Sequence, residues 1–291
     1  MRISYSSLSL FKSCPKAYEF YKIINAEKTD QCEFFAYSGT VGQWIFEHII
    51  NDRLYRTQSL ESIIDDIENS IEETIKLTTY QVDTKKPKKG GHGVGFFETF
   101  EAMFMIDYAE LHIEDLMEEM EKYVICTDTF FKKFSSKGLD KITCEEHLEK
   151  TFVTSKNNEY TLHGYCDFYI RNNDKEISIL DGKRNTFVSY NNFNEPEFPH
   201  ISPTQLLIYG LLSDEELRGI SFYDYTLNKI VKVPLSDNYR EETKHEIDTV
   251  IDKIVNTKIF EALANKSNCK FCSYKNLCDG YKNLEAGKLE L

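Results

Sequence analysis

Two neighbouring predicted strands end in residues that could hold a divalent metal ion. Residues 159–170 and 176–183 alternate apolar and polar side chains, and Asn172-Asn173-Asp174 between them is typical of a turn. Asp167 lies near the end of the first strand, and Asp181-Gly182-Lys183 ends the second. A hairpin would bring the two carboxylates together as an oxygen site suited to Mg2+ or Mn2+. Lys183 could then orient or deprotonate an attacking water and offset phosphate charge.

The alternative is that these charged residues are solvated strand ends, because D-x-K triplets are common by chance. Strand alternation puts Asp167 on the face opposite Leu162, Gly164, Cys166 and Phe168, and puts Asp181 and Lys183 on the face of Ile177 and Ile179. The run from Ile177 to Leu180 reads as a buried strand, and charges at the end of such a strand are costly unless they have a role.

Four cysteines near the two chain ends form a second candidate site. Cys14 lies close to the start, and Cys269-x2-Cys272-x5-Cys278 lies close to the end. Nothing else in the chain indicates secretion, so reduced thiols that bind a metal are favoured over disulfides. An iron–sulfur centre or a zinc ion would join the N-terminal segment to the C-terminal one. The other cysteines, at 32, 126, 144 and 166, are interpreted as small core residues.

Composition predicts a globular, intracellular protein with no membrane association. The chain has 291 residues, 41% of them hydrophobic, with 20 Phe and 18 Tyr, which suffices for a large core. The first ten residues have no signal-peptide character, and no later run is long enough to span a membrane. A net charge of −13 argues against a protein that coats nucleic acid, although one groove could still be basic.

The clearest basic stretch is the lysine–glycine segment from Lys85 to Gly93, which contains Lys85, Lys86, Lys88 and Lys89. Its composition is equally consistent with a solvated loop and with a mobile flap that binds phosphates.

The remaining pattern predicts a helical first half and an α/β second half. Helices are predicted at 4–24 (interrupted at Cys14-Pro15), 38–56, 59–78, 97–124, 203–213 and 237–264. Strands are predicted at 142–154, 159–170, 176–183, 219–226 and 229–234. The first three of these strands should form an antiparallel meander, and a loop with three prolines follows at 186–203.

Gln205 and Tyr209 project from one face of the predicted helix at 203–213, because they stand four residues apart. Gln205 also has a structural interpretation, since Ser202-Pro203-Thr204-Gln205 matches a helix capping box. Tyr209 could equally be a core residue.

The assembled residues resemble the RecB-like branch of the PD-(D/E)XK nuclease superfamily. The similarity is to its iron–sulfur members, the CRISPR-associated RecB-like exonucleases and the AddB nuclease domain. The matching segments, in family order, are Ser6-x2-Ser9-x4-Cys14-Pro15, a Gly-to-His segment ending at His48, Gly164-x2-Asp167, Asp181-Gly182-Lys183, Gln205-x3-Tyr209 and Cys269-x2-Cys272-x5-Cys278. They cover most of the chain except about 52–140.

The resemblance implies an α/β, restriction-endonuclease-like fold, in which helices flank a central mixed sheet and an iron–sulfur cluster staples the C-terminus. It implies an N-terminal segment at 1–50, a helical insertion at 51–140, a nuclease core at 141–265 and a cluster-binding tail at 266–291. Metal ligands would be His48, Asp167, Asp181 and the carbonyl of Gly182, with Lys183 as the catalytic lysine. Gln205 and Tyr209 would contact DNA and brace the site, and Cys14, Cys269, Cys272 and Cys278 would hold a 4Fe-4S cluster.

Two departures from the family pattern stand out. The family places its His four positions after a Gly, whereas His48 follows Gly42 by six, and Phe46 occupies the expected position. Glu47 is therefore an alternative helix ligand. Gly182 stands where the family commonly has a larger residue, a change that a backbone ligand tolerates.

We therefore expect a metal-dependent DNA nuclease, acting as an exonuclease on single-stranded DNA or duplex ends. Its expected cofactors are Mg2+ or Mn2+ and a 4Fe-4S cluster, with zinc as the alternative at the cysteines. Its expected partners are DNA, contacted by Lys85, Lys86, Lys88, Lys89 and Arg184, and other DNA-processing proteins. A non-catalytic binding or assembly module and a cap-snatching type of RNA endonuclease are the alternative interpretations, and the pathway stays open.

Overall fold

The computed structural model describes most of the α/β half of the chain and the two terminal segments. The described residues are 1–26, 43, 46–47, 49–59, 61–62, 65, 69, 129, 136–173, 175–183, 186–192, 195–199, 201–265, 268–269 and 272–286. The predicted helices at 59–78 and 97–124 lie outside these residues except for isolated positions. The lysine–glycine segment, His48 and Arg184 lie wholly outside them.

Strands and helices are interspersed along the described part of the chain, as in an α/β fold. The strands are β1 (Arg2–Ser4), β2 (Ile142–Val153), β3 (Glu159–Arg171), β4 (Glu176–Lys183), β5 (Ser189–Tyr190), β6 (Pro196–Glu197), β7 (Glu216–Asp224) and β8 (Lys229–Val233). The helices are α1 (Tyr5–Ser13), α2 (Pro15–Tyr18), α3 (Ser136–Leu139), α4 (Thr204–Leu212), α5 (Tyr239–Asn256) and α6 (Asp279–Glu285). Short helical turns occupy Glu19–Ile23, Leu54–Arg56 and Lys275–Leu277. Within segment 43–51, residues 43, 46, 47 and 49–51 are helical.

The first residues of the chain form a strand that the sequence did not predict, and the predicted helix from residue 4 begins at Tyr5. β1 runs parallel to β3, with Ile3 opposite Leu162, and Ile3 is fully buried. Helix α1 then begins at Tyr5, and the side chain of Ser4 accepts a hydrogen bond from the Ser7 amide as its N-cap. Three residues carry too little periodicity to signal a strand, so only the pairing with β3 defines β1.

The main sheet is mixed, as expected for a restriction-endonuclease-like core. Its strand order is β1-β3-β4-β7-β8, and β2 pairs with β3. Strands β2, β3 and β4 form the predicted antiparallel meander. Helix α4 connects β4 to β7, which lie parallel, as a crossover between parallel strands must.

Both faces of the sheet are covered by apolar packing. One face carries the larger cluster, which joins Leu8 and Phe11 of α1, Leu206 of α4 and Ile251 of α5 with Ile179 of the sheet. On the other face Phe46 packs edge-on against Phe168, with the ring centroids 5.3 Å apart. Burial on both faces explains why β4 reads as a continuous apolar run up to Asp181.

Strands β1 and β4 pair with different parts of β3. β4 pairs with residues 168–171, and β1 pairs with residues 161–163. Neither strand is paired with residues 164–167, which lie between the two. Asp167 is therefore positioned where β4 diverges from β3, and not in a regular ladder.

The expected alternation of β3 is broken next to Asp167. Leu162 and Cys166 belong to the cluster under α4 and α5, whereas Phe168 packs on Phe46. The sequence predicted all three on one face. Across the strand pair, Glu145 adopts a positive φ of 54°, between the paired residues Cys144 and Glu146. This backbone conformation is uncommon for a residue with a side chain, and it accompanies the change of face.

The two chain termini pack against each other. The Lys16 amide donates to the Glu261 carbonyl at 3.2 Å, and the Asn268 side chain donates to the Ser13 carbonyl at 3.0 Å. Phe260 stacks on Tyr18 with the ring centroids 6.2 Å apart. These contacts bring Cys14 into the region of the C-terminal cysteines. None of the helices in the described part of the chain is long and apolar enough to cross a bilayer.

Candidate active site

Asp167 and Asp181 meet where β4 leaves β3. Leu180 is the direct partner of Phe168, so the next position along each strand places Asp181 beside Asp167. The Gly182 amide donates a hydrogen bond of 2.8 Å to Oδ2 of Asp167. The sequence predicted this pairing, and the register of the hairpin accounts for it.

The pKa values of the two carboxyl groups respond to a shared, poorly solvated environment. Burial raises the pKa of Asp167 well above its usual range, and the charge of Asp181 adds to the effect. Burial likewise raises the pKa of Asp181, against the opposing charge of Lys183. Two carboxyl groups in such a setting favour either protonation or a bound cation.

Lys183 supplies a positive charge to this pair. Burial alone would lower the pKa of Lys183, but the charges of Asp181 and Asp167 outweigh burial and raise it. Its ammonium group forms an ion pair with Oδ2 of Asp181. The lysine is therefore protonated in the metal-free protein, a state in which it donates hydrogen bonds and neutralises anions.

The donor set fits a divalent cation. Asp181 is fully buried, its Oδ2 atom is paired with the Lys183 ammonium, and no described residue donates a hydrogen bond to Oδ1. Buried oxygens without donors are costly unless a further ligand is bound. Among the described residues, no group of three or more His, Cys, Asp and Glu side chains could hold a metal ion. Asp167 and Asp181 are therefore the two carboxylates that the described residues could offer to such an ion.

Gln205 and Tyr209 of α4 lie beside this site. Gln205 Nε2 donates to the Tyr209 hydroxyl at 2.8 Å. Burial raises the pKa of Tyr209, and the charges of Asp167 and Asp181 raise it further. A side chain at Gly164 would come within 2.7 Å of the Tyr209 ring, so Gly164 permits the close approach of α4 to β3. The alternative capping box is not formed, because the N-cap of α4 is Pro203 and has no side-chain cap bond.

Gln43, a residue that the sequence interpretation did not select, reaches the site. Gln43 Nε2 donates to the Asp167 carbonyl at 3.2 Å. Phe46 is fully buried in the aromatic cluster. Gln43 stands four positions after Gly39, which is the spacing expected between the family Gly and its helix ligand. That spacing is the sequence signal for Gln43.

The two predicted helix ligands have different outcomes. His48 lies outside the described residues, so its role stays a prediction. Glu47 is half-buried. Burial is the largest cause of the raised pKa of Cys144, and the charge of Glu47 is a smaller one. The role of the Gly182 carbonyl as a ligand also stays a prediction.

Glu145 is a second site residue that sequence reasoning missed. It follows Cys144, the partner of Phe168, which places it across the strand pair from Asp167. Its charge raises the pKa of both Asp167 and Asp181. No sequence signal distinguishes it, because Glu145 and Glu146 look alike within an alternating strand.

The four predicted cluster ligands line one cavity of about 400 Å3 between the chain termini. Its wall also includes Leu10, Phe20, Tyr21, Tyr274 and Tyr281. Cys269 and Cys278 are buried, and Cys14 and Cys272 are partly exposed. Burial raises the pKa of Cys272, and the charges of the other three thiols act in the same direction. None of the six described cysteines forms a disulfide.

The predicted nucleic-acid contacts are not tested by this geometry. Lys85, Lys86, Lys88, Lys89 and Arg184 all lie outside the described residues. Their roles stay predictions.

Comparison with known proteins places this geometry in context. A sequence model of the PD-(D/E)XK nuclease superfamily matches residues 2–279. A structure from Eubacterium rectale, provisionally described as an exonuclease, is 14% identical with a TM-score of 0.42, over 97% of this chain and 87% of that chain. The crystal structure of SSO0001 is 11% identical with a TM-score of 0.32, over 78% of this chain and 98% of that chain. A search of curated proteins found no significant match.

Proposed function

The chain belongs to the PD-(D/E)XK nuclease superfamily, and we propose that it is a Mg2+- or Mn2+-dependent DNA nuclease. We propose that it acts as an exonuclease on single-stranded DNA or duplex ends. The observation that carries the proposal is the buried Asp181 carboxylate, which interacts electrostatically with Asp167, is paired with Lys183 through Oδ2, and receives no hydrogen bond at Oδ1 from the described residues. Exonuclease action and the preference for DNA rest on the resemblance to RecB-like members.

Asp167 and Asp181 would hold the divalent ion, with Gly182 and a residue of segment 43–51 as further ligands. A bound divalent ion supplies Lewis-acid polarisation of the phosphate and lowers the pKa of water. Asp167 is oriented for this task by the Gly182 amide, which donates to its carboxylate at 2.8 Å. Buried carboxylates held by hydrogen bonds keep their geometry during the reaction, so reorganisation costs little.

Lys183 would assist the attack on phosphorus. Its ammonium is held next to Asp181, and the two aspartates raise its pKa. A lysine in that state orients the attacking water by donating a hydrogen bond and offsets charge on the phosphate. Proton removal by the neutral amine is correspondingly disfavoured. Gln205 and Tyr209 would contact the nucleic acid from α4, where they are joined by a hydrogen bond.

The cysteine cavity would hold a 4Fe-4S cluster that joins the chain termini. A zinc ion 2.3 Å from each of four sulfurs keeps those sulfurs about 3.8 Å apart. Cluster ligands stand further apart, because they surround a core of several atoms. All four thiols line one cavity, and the choice of a cluster over a zinc ion rests on the resemblance to the iron–sulfur members. Reduced thiols imply a protein that works inside the cell.

The function is tested by cleavage assays with Mn2+ on labelled single-stranded DNA, duplex ends and RNA. Wild-type protein should degrade DNA progressively from an end, and Lys183→Ala should not. Equal residual activity in the two proteins would indicate contamination and favour the non-catalytic module. Preferential internal cleavage of RNA would favour an RNA endonuclease instead.

The cofactor is tested on anaerobically purified protein. A brown colour, charge-transfer absorption in the visible range, and equal amounts of iron and sulfide support the cluster. A colourless protein that contains zinc would refute this part of the proposal.

A further inference from the structure

The space beside Gly182 is filled by the hydroxyl of Tyr225. A Cβ atom at position 182 would lie 2.0 Å from the Tyr225 hydroxyl oxygen and 2.7 Å from Cζ. The tyrosine cannot easily yield, because it is buried and its ring stacks on Phe46 with the centroids 5.8 Å apart. Its amide also donates to the Lys183 carbonyl at 2.9 Å. Gly182 and Tyr225 are therefore matched in shape.

The Tyr225 hydroxyl is the first member of a short chain of hydrogen bonds. Tyr225 donates to Oε1 of Gln43 at 3.2 Å, and Gln43 Nε2 donates to the Asp167 carbonyl at 3.2 Å. The chain links the strand end that carries Asp181 and Lys183 to the main chain of Asp167. It also anchors segment 43–51, since Gln43 and Phe46 belong to the same helical turn.

We propose that Gln43 and Tyr225 are positioning residues of the reaction. The Tyr225 hydroxyl occupies the space that a side chain at position 182 would fill. Together they fix the main chain of Asp167 from its carbonyl side, while the Gly182 amide fixes its carboxylate. Residues that orient metal ligands in this way typically influence metal affinity and activity about 10- to 100-fold. This inference rests on the proposed function, because it assumes that Asp167 and Asp181 bind the ion.

A hydroxyl deletion with a matched control tests the pair. Tyr225→Phe keeps the ring on Phe46 and removes the hydroxyl that donates to Gln43. Tyr223→Phe is the control, since this buried neighbour also packs on Phe46, and its hydroxyl donates to Asn228 at 2.7 Å. Tyr225→Phe and Gln43→Ala should each weaken Mn2+ binding, followed by EPR titration, roughly tenfold and lower kcat. Tyr223→Phe should leave the Mn2+ affinity unchanged.

A double-mutant cycle tests the matched shape. Gly182→Ala should lower the melting temperature and the Mn2+ affinity in the wild-type background, because its methyl group meets the tyrosine. In the Tyr225→Leu background, the factor by which Gly182→Ala reduces Mn2+ affinity should be roughly tenfold smaller, because the end of the tyrosine ring is gone. Additive effects of the two substitutions would overturn the shape argument.

The outcomes separate this inference from the proposed function. Equal Mn2+ affinity and kcat in Tyr225→Phe and Tyr223→Phe, with Lys183→Ala inactive, would refute the positioning pair and leave the nuclease intact. A wild-type protein that binds Mn2+ but cleaves no nucleic acid would refute the nuclease. In that case, weaker Mn2+ binding by Tyr225→Phe than by Tyr223→Phe would still support the positioning role of Gln43 and Tyr225. A wild-type protein that bound no Mn2+ would refute this role as well.

Discussion

Lys183 and Asp181 form an ion pair two residues apart on β4, inside the same buried pocket where a divalent ion would bind. The ammonium thus competes with the metal for one carboxylate oxygen, Oδ2, and leaves Oδ1 available. Under the proposed function, this arrangement separates metal binding, assigned to Asp181, from the chemical step, assigned to Lys183.

Lys183→Ala should therefore abolish cleavage without weakening metal binding. Loss of a positioned group that orients water typically costs about 10²- to 10⁴-fold in rate. Removal of the competing ammonium should leave the Mn2+ affinity equal or slightly increased. Cleavage rates together with EPR titration of Mn2+ check both parts. A large loss of Mn2+ affinity in Lys183→Ala would contradict the separation of functions.

Asp167→Asn should stabilise the metal-free protein while removing its activity. The substitution relieves the repulsion between two buried carboxylates, and the Asn side-chain oxygen can still accept from the Gly182 amide. Saturating Mn2+ at 100 times its dissociation constant should stabilise wild-type protein by about 2.7 kcal/mol and the variant far less. Melting curves with and without Mn2+ measure both effects. A variant less stable than wild type in the absence of metal would show that the pair is not strained.

The same carboxyl groups predict how the stability of the metal-free protein depends on pH. Burial and the charge of Asp181 raise the pKa of Asp167, and burial raises that of Asp181. The folded protein therefore holds protons that the unfolded chain releases. The resulting stability is fully present below the ordinary aspartate pKa and is lost as pH rises through the raised values. As pH rises through this window, wild-type protein should lose stability. The difference in melting temperature in favour of Asp167→Asn should therefore increase with pH.

Glu145→Gln should weaken Mn2+ binding, because the charge of Glu145 acts on both aspartates. We expect a modest loss, roughly threefold to tenfold, since the effect is electrostatic and not direct ligation. Glu146→Gln is the matched control, because Glu146 is the next residue and pairs with Arg171 at 2.8 Å. Isothermal titration with Mn2+ compares the two. Equal affinities would remove Glu145 from the site.

Cys272→Ala should loosen both chain ends at once. Loss of one ligand destabilises the cluster, and the contacts between the Cys14 segment and the C-terminal tail then lose their common anchor. Iron content and melting temperature should fall, and hydrogen exchange should increase in both terminal segments. Cys144→Ala removes a buried thiol far from the cavity and should keep its iron. Unchanged stability and activity in Cys272→Ala would end the staple hypothesis.

The sequence could predict those elements whose signals are local. Strands β2, β3 and β4 alternate clearly, Asp181-Gly182-Lys183 follows an apolar run, and Gln205-x3-Tyr209 marks α4. Each of these is found within a few residues of its predicted position. Periodicity and turn residues suffice for such elements.

The features that the sequence could not predict depend on distant partners. β1 exists because residues 2–4 pair with β3, more than 150 residues away. The change of face at Asp167 depends on the conformation of Glu145 on the neighbouring strand. Gln43 becomes a site residue only because Asp167 on β3 and Tyr225 just after β7 approach it.

The most direct test of the account measures Mn2+-dependent degradation of end-labelled single-stranded DNA by anaerobically purified protein. Wild type is compared with Asp181→Ala and Lys183→Ala. Only wild-type protein should cleave the DNA. Mn2+ binding should be lost in Asp181→Ala and kept in Lys183→Ala. Equal cleavage by all three proteins would contradict the assignment of Asp167, Asp181 and Lys183 as the catalytic centre.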